Sequence, residues 1–245
     1  MPASIEAVRA DREWLLDTCA GLTSGQWQAP SGCAGWRVQD LVSHLGALFW
    51  AVVDPGRLPD VTGAATEQAQ ETWVQARSGL TADAVLADYK EASETALDRL
   101  AEIAALDLEV PLGDLGTYPA SALPTAYGFD HYVHIRADLF PPRGPLDGAP
   151  PPSDELRLGT ALDWVEAAIA QQNPAAAAAG SYELGVLGPC ARVIRFGTGR
   201  PVARISSDGQ TLLRWVTKRG SWAELGVRPE GDEAAITAAG TLKVF

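Results

Sequence analysis

Histidine, cysteine and lysine each occur only three times in the 245 residues, and methionine once. The odd, widely spaced cysteines (Cys19, Cys33 and Cys190) argue against a disulfide framework and suit reduced thiols in a cytoplasmic protein. Long apolar runs are missing: the clearest, residues 45–53, falls far short of the about 20 residues that a membrane span needs. The opening MPASIEAVRADREW has no basic flank followed by an apolar core, so no secretory signal is expected. Neither G-x-G-x-x-G after a strand nor G-x-x-x-x-G-K-[ST] occurs, which removes the usual nucleotide cradles. Positive charge is in deficit. With 31 acids against 19 bases the net charge is −12, which repels a phosphate backbone, so neither nucleic acid nor membrane is an expected partner.

What is present is core material: 47% of residues are apolar, enough for one large domain or two modest ones. Arginine outnumbers lysine and alanine is abundant, as a GC-rich coding bias produces. Helical periodicity dominates residues 1–140. Ser4 is expected to cap a helix to about residue 20, with a short turn over 22–27. The apolar positions Val38, Leu41, Val42, Leu45, Leu48, Phe49, Val52 and Val53 predict a deeply buried helix ended by Asp54-Pro55-Gly56. Helices are also expected over 66–77, from Thr81 to about 104, and from Pro124 to the Pro141-Pro142 stop. Residues 141–152 hold six prolines and read as a stiff extended connector between domains. Beyond it Ser153 is expected to cap another helix. Strands then come over 182–187, 191–196 and 202–206, with hairpin turns at Gly188-Pro189 and Gly197-Thr-Gly199. The fold expected is α+β: a helical bundle over 1–140, a linker, and a smaller α+β domain over 153–245.

Charge divides the chain in the same way. Residues 1–180 carry a net −15 and residues 181–245 a net +3. A basic cap beside an acidic bundle could offer an arginine to an anionic ligand where the two meet, although ordinary surface variation gives the same pattern.

The histidines carry the chemistry. Asp130 and His134 are four residues apart, on one face of the expected helix, with Asp138 one turn further. His44 flanks the buried stripe of the 38–53 helix. If those helices are neighbours, His44, Asp130 and His134 can converge on one divalent cation. Two imidazoles and a carboxylate leave coordination positions open, as in a catalytic rather than a structural zinc site; the same set could also hold iron. The competing reading is that these histidines are satisfied packing residues. His131 lies on a rotated face as a rival ligand, substrate contact or packed residue, with Tyr127 a further candidate substrate contact. Cys33, just before a helix, is a packed thiol or a nucleophile.

Three stretches carry a family resemblance. The run Leu22-Thr-Ser-Gly-Gln-Trp27 followed by Pro30-Ser-Gly-Cys33-Ala-Gly35-Trp36-Arg-Val38-Gln-Asp40-Leu-Val-Ser-His44-Leu resembles the opening of the mycothiol-dependent maleylpyruvate isomerase family. Asp130, His134 and Asp138 resemble its metal-binding helix, and residues 212–219 with Gly231-Asp232 its second domain. The resemblance implies a DinB-like antiparallel four-helix bundle followed by a sterol-carrier-like α+β domain. It also implies zinc on His44, Asp130 and His134, with Arg219 facing the active site. It further implies an isomerase or S-transferase that uses mycothiol, a low-molecular-weight thiol, on a small electrophile. Two positions depart from the pattern: Asp130 stands for the usual Glu, and Lys218 for the Gly before the arginine. A metal-free binding protein and a zinc hydrolase are the rival functions. The substrate and the oligomeric state are not legible.

Overall fold

The computed structural model describes residues 2–245. Helices α1 (Ala3–Ala20), α2 (Ser24–Gln28), α3 (Val38–Val53), α4 (Thr66–Arg77) and α5 (Ala82–Ala104) come first. An antiparallel pair, β1 (Glu109–Pro111) and β2 (Thr117–Pro119), leads into α6 (Leu123–Val133), which continues as a π-helical segment, His134–Leu139. Helices α1, α3, α5 and α6 pack into the bundle, with α4 laid on α3. The α3 stripe is buried as its period dictates: Leu41, Leu45 and Phe49 are wholly excluded from solvent, each contributing about 2 kcal/mol. Thr81 caps α5 as expected, its hydroxyl accepting from Ala84 N at 3.2 Å.

After the linker come α7 (Glu155–Gln172), α8 (Pro174–Ala179), β3 (Ser181–Leu187), β4 (Arg192–Phe196) and β5 (Pro201–Asp208). The chain closes with α9 (Gly209–Val216), α10 (Trp222–Leu225), β6 (Arg228–Gly231) and α11 (Glu233–Ala239). The sheet order is β4-β3-β5-β6, parallel only between β3 and β5. The protein is therefore α+β, with a helical N-terminal half. Helix α7 packs on α1 and α6 and also on α9. A second apolar core forms around Leu162, Trp164, Tyr182, Ile205 and Trp215, and α6 contributes Phe129, Tyr132 and Val133 to it.

Several local expectations change. The Gly197-Thr-Gly199 turn does not close a hairpin, because β3 lies between β4 and β5. It carries the chain across the sheet end, where a Cβ on Gly197 (φ +80°) would fall 1.8 Å from Gly180 O. The 22–27 turn contains α2, closed by a Thr23–Gln26 capping box. Helix α1 starts at Ala3 with no side-chain cap, so Ser4 lies inside it. Ser153 does not cap α7 because its hydroxyl pairs with Tyr132 Oη; Asp154 caps instead, accepting from Arg157 N at 2.9 Å. The helix expected to run unbroken to Pro141 widens to π geometry at His134. It leaves helical backbone at Phe140 (φ −112°, ψ 162°), where the following proline ring disfavours the α conformation.

The proline-rich segment is not an extended spacer. It folds back on the bundle: Leu146 is 1% exposed within the N-terminal core, and its N–H donates to Leu139 O at 2.9 Å. Asp11, buried on α1, ties the helices together beneath it. Its carboxylate accepts from Arg136 Nη2 at 2.8 Å, and from Arg157 Nε of α7 at 2.9 Å. Removing it leaves Arg136 with carbonyl partners only and Arg157 with Asp154 as its one carboxylate, so Asp11→Ala is expected to destabilise the fold by about 3 kcal/mol in urea titration. Leu146→Ala should cost about 2–5 kcal/mol, with Pro150→Ala staying within about 0.5 kcal/mol. Equal, negligible losses at 146 and 150 would return the segment to a free linker.

Candidate functional site

Three elements deliver the donors. His44 comes from α3, where its ring is 1% exposed and lies 5.0 Å from the Trp36 ring. Asp130 comes from the last turn of α6, and His134 from the first residue of the π-helical segment. Asp130 Oδ2 is 3.3 Å from His44 Nε2, and Asp130 Oδ1 is 3.4 Å from His134 Nε2. One donor atom from each residue lies within 4.8 Å of the others. Donors at about 2.1 Å from a tetrahedral centre are about 3.4 Å apart, so the spacing suits a zinc-sized cation. The shorter Asp130 is no obstacle, since one oxygen faces each imidazole.

The polar atoms themselves call for a cation. His44 Nδ1, His44 Nε2 and Asp130 Oδ2 are buried without a hydrogen-bond partner. His134 Nδ1 donates to Asp138 Oδ2 at 2.9 Å, which leaves the Nε2 lone pair facing a carboxylate oxygen. Such a pair of acceptors repels unless positive charge lies between them. The same demand shows in the ionisation of these groups. Burial pushes the Asp130 carboxyl up, but the two imidazoles outweigh it and hold it well below the usual range. Burial pulls His134 down, yet Asp130, Cys33 and Asp138 hold it well above its ordinary value. At His44 burial dominates and holds the imidazole below its ordinary value.

Behind the triad lies a supporting layer. Asp138 is wholly buried and accepts from Arg219 Nε at 2.9–3.0 Å through both oxygens, and from Arg219 Nη2. Arg219 Nη2 also lies 3.3 Å from His134 Nδ1. Cys33 Sγ stands 3.3 Å from Asp138 Oδ2 and 3.5 Å from His134 Nδ1. The 30–36 loop that carries it is pressed onto Asp138. Gly32 N donates to Asp138 O at 2.7 Å, and a Cβ on Gly32 would sit 2.7 Å from Asp138 Cα. This carboxylate–histidine arrangement fixes the orientation of the His134 ring.

A cavity of about 390 Å³ opens over Asp130 and His134. Its walls come from both halves of the chain: Cys33, Trp36 and Glu71 on one side, Thr217, Arg219 and Phe245 on the other. That size suits a small organic substrate.

Four of the expected site residues meet here: His44, Asp130, His134 and Arg219. Tyr127 and His131 do not. His131 is fully buried, its Nδ1 donating to Tyr127 O at 3.0 Å and its Nε2 3.1 Å from Tyr89 Oη, so it is neither ligand nor substrate contact in this geometry. Tyr127 donates its hydroxyl to Leu48 O at 2.8 Å and stacks on Phe49, away from the cavity. Cys33 carries more weight here than its sequence position suggests; the glycines on either side, Gly32 and Gly35, were the available signal. Glu71 and Phe245 carried none.

Zinc binding tests the supporting layer. Replacing such a partner typically costs about 10- to 100-fold in metal affinity, the drop expected for Asp138→Asn in competition with a chromophoric chelator. His44→Ala and His134→Ala should lose more, since each removes a donor atom.

Similarity to known proteins has the same outline. A family model described as the mycothiol maleylpyruvate isomerase N-terminal domain matches residues 8–140. Two solved structures align over 95% of this chain and 95% of theirs at 17% identity: the mycothiol-dependent maleylpyruvate isomerase, with a TM-score of 0.61, and a histidine-to-alanine mutant of it, at 0.60. At that identity they establish the shared fold. No curated protein matches the sequence.

Proposed function

From the premise that the chain belongs to the mycothiol maleylpyruvate isomerase N-terminal domain family, we propose that it is a thiol-dependent enzyme of the isomerase type, holding one divalent cation on His44, Asp130 and His134. The observation that carries this reading is the set of buried, partnerless donor atoms that converge beneath the cavity. A zinc ion held there would supply Lewis acidity, lowering the pKa of a thiol or water in an open position. Mycothiol is the expected thiol, as the family's name and the relatives' names suggest.

The residues of the chain do the rest. Asp138 keeps the His134 proton on Nδ1, so that Nε2 presents its lone pair toward the triad. Arg219 holds Asp138 ionised and adds positive charge to the cavity wall, where an enolate formed by thiol addition would gain stabilisation. Trp36 and Phe245 enclose the cavity and limit water. The thiol sulfur adds to an electrophilic alkene carbon, and the former double bond rotates as a single bond. Expulsion of the same thiol then restores the alkene, so atoms and electrons balance and the thiol is regenerated. In a transferase outcome the adduct leaves instead.

The test is conversion of a cis-alkenoyl substrate followed by NMR, with and without mycothiol and after chelation. Turnover should require the thiol, vanish on metal removal and return with zinc. Hydrolysis of the substrate at a rate indifferent to thiol assigns a hydrolase, and full activity in chelated protein rejects the metal.

A further inference from the structure

A second cavity, of about 750 Å³, shares Arg219 with the first and is otherwise built from different residues. Its wall carries Arg143 from the folded-back linker, and Arg214 and Lys218 from the end of α9 and the turn after it. The one acid on it, Glu224, is engaged in a capping box, accepting from Ser221 N and Oγ at 2.7 Å. The groove is therefore strongly cationic on its own account.

The cations differ in how far the chain engages them: Arg143 donates to Gly32 O and lies 3.5 Å from Asp138, whereas Arg214 and Lys218 are less committed. The Arg214 guanidinium makes no hydrogen bond or ion pair among the described residues; Glu224 feels its charge only at a distance. Lys218 is held in left-handed backbone (φ +61°), a strained conformation for a residue with a side chain, and its ammonium makes one hydrogen bond, to Gly240 O at 3.1 Å. Trp215 and Trp222 pack edge to face at 5.4 Å in the same wall, and neither indole N–H has an acceptor. Trp215 is 2% exposed, so its missing acceptor is a real cost, whereas the Trp222 ring is half-buried and lines the groove. An unpaired arginine, a lysine with one hydrogen bond and a half-buried indole around one concavity are complementary to an anion that has an apolar body.

We propose that this groove is a binding site for a small organic anion, in which Arg143, Arg214 and Lys218 take a carboxylate or phosphate and the Trp222 indole covers a flat apolar portion. The groove adjoins the first cavity, since Arg219 lines both and Arg143 also reaches Asp138 at 3.5 Å. Its own cations, Arg143, Arg214 and Lys218, have no part in the thiol chemistry proposed for the first cavity.

Calorimetric titration of the full chain with 2-naphthoate, its neutral analogue 2-naphthamide, and acetate tests the assignment. Saturable one-site binding of naphthoate is expected, with the amide and acetate each at least about tenfold weaker, because one lacks the charge and the other the apolar body. Arg214→Gln should weaken naphthoate by at least about tenfold. Lys218→Gly should weaken it too while relieving backbone strain, so a failure to fold does not cloud that variant. No saturable binding, equal affinity for the amide, or unchanged affinity in both variants overturns the proposal. So does binding abolished by His44→Ala, since that would put the anion at the triad.

Discussion

Asp138 sits without solvent exposure where the π-helical segment, the 30–36 loop, the folded-back linker and the second half of the chain meet, and its charge has to be balanced at that point. Burial alone would push its carboxyl up, but His134 and Arg219 outweigh burial and hold it ionised. A buried ion pair contributes little net stability, because desolvation offsets most of the Coulomb attraction. Its main effect is on geometry: a partner that moves away leaves an uncompensated charge, and that is expensive. His134, Arg219 and Cys33 are therefore held at fixed positions around one carboxylate, which in turn sets the orientation of the His134 ring.

The π-helical segment gives this constraint its reach. It begins at His134 and contains Asp138, so this histidine and its supporting carboxylate lie in the widened turns while Asp130 stays in regular α-helix. π turns cost hydrogen-bond geometry and tend to persist where function holds them. Here the pairing of His134 with Asp138, and Gly32 N on Asp138 O, are the contacts that hold it.

Most of the helical half could be read from periodicity, and the reason is physical. Val38–Val53 buries a stripe too regular to be anything else, and Thr81 has a hydroxyl placed to cap the helix that starts at Ala82. The Asp130–His134 spacing likewise puts two donors on one face whatever the tertiary context. The features that escaped depend on contacts distant in sequence. The connection from β4 to β5 passes over β3, which no turn motif reveals. The proline count of the linker predicts stiffness but says nothing of Leu146 entering the core. His131 looked like chemistry because histidine is rare here; that Tyr89 and a backbone carbonyl satisfy its nitrogens is a fact of helix packing.

The scarcity of lysine acquires a role in the same light. The two halves are joined by charge at two buried carboxylates, Asp11 and Asp138, and each is met across the junction by arginine, Arg157 and Arg219. A guanidinium presents several donors in one rigid plane, so Arg219 contacts both Asp138 oxygens and still reaches Thr217 O at 3.3 Å. An ammonium is a point charge that could neutralise Asp138 without orienting it. Since Asp138 in turn orients His134, the plane of one guanidinium from the basic half sets the aim of an imidazole in the acidic half.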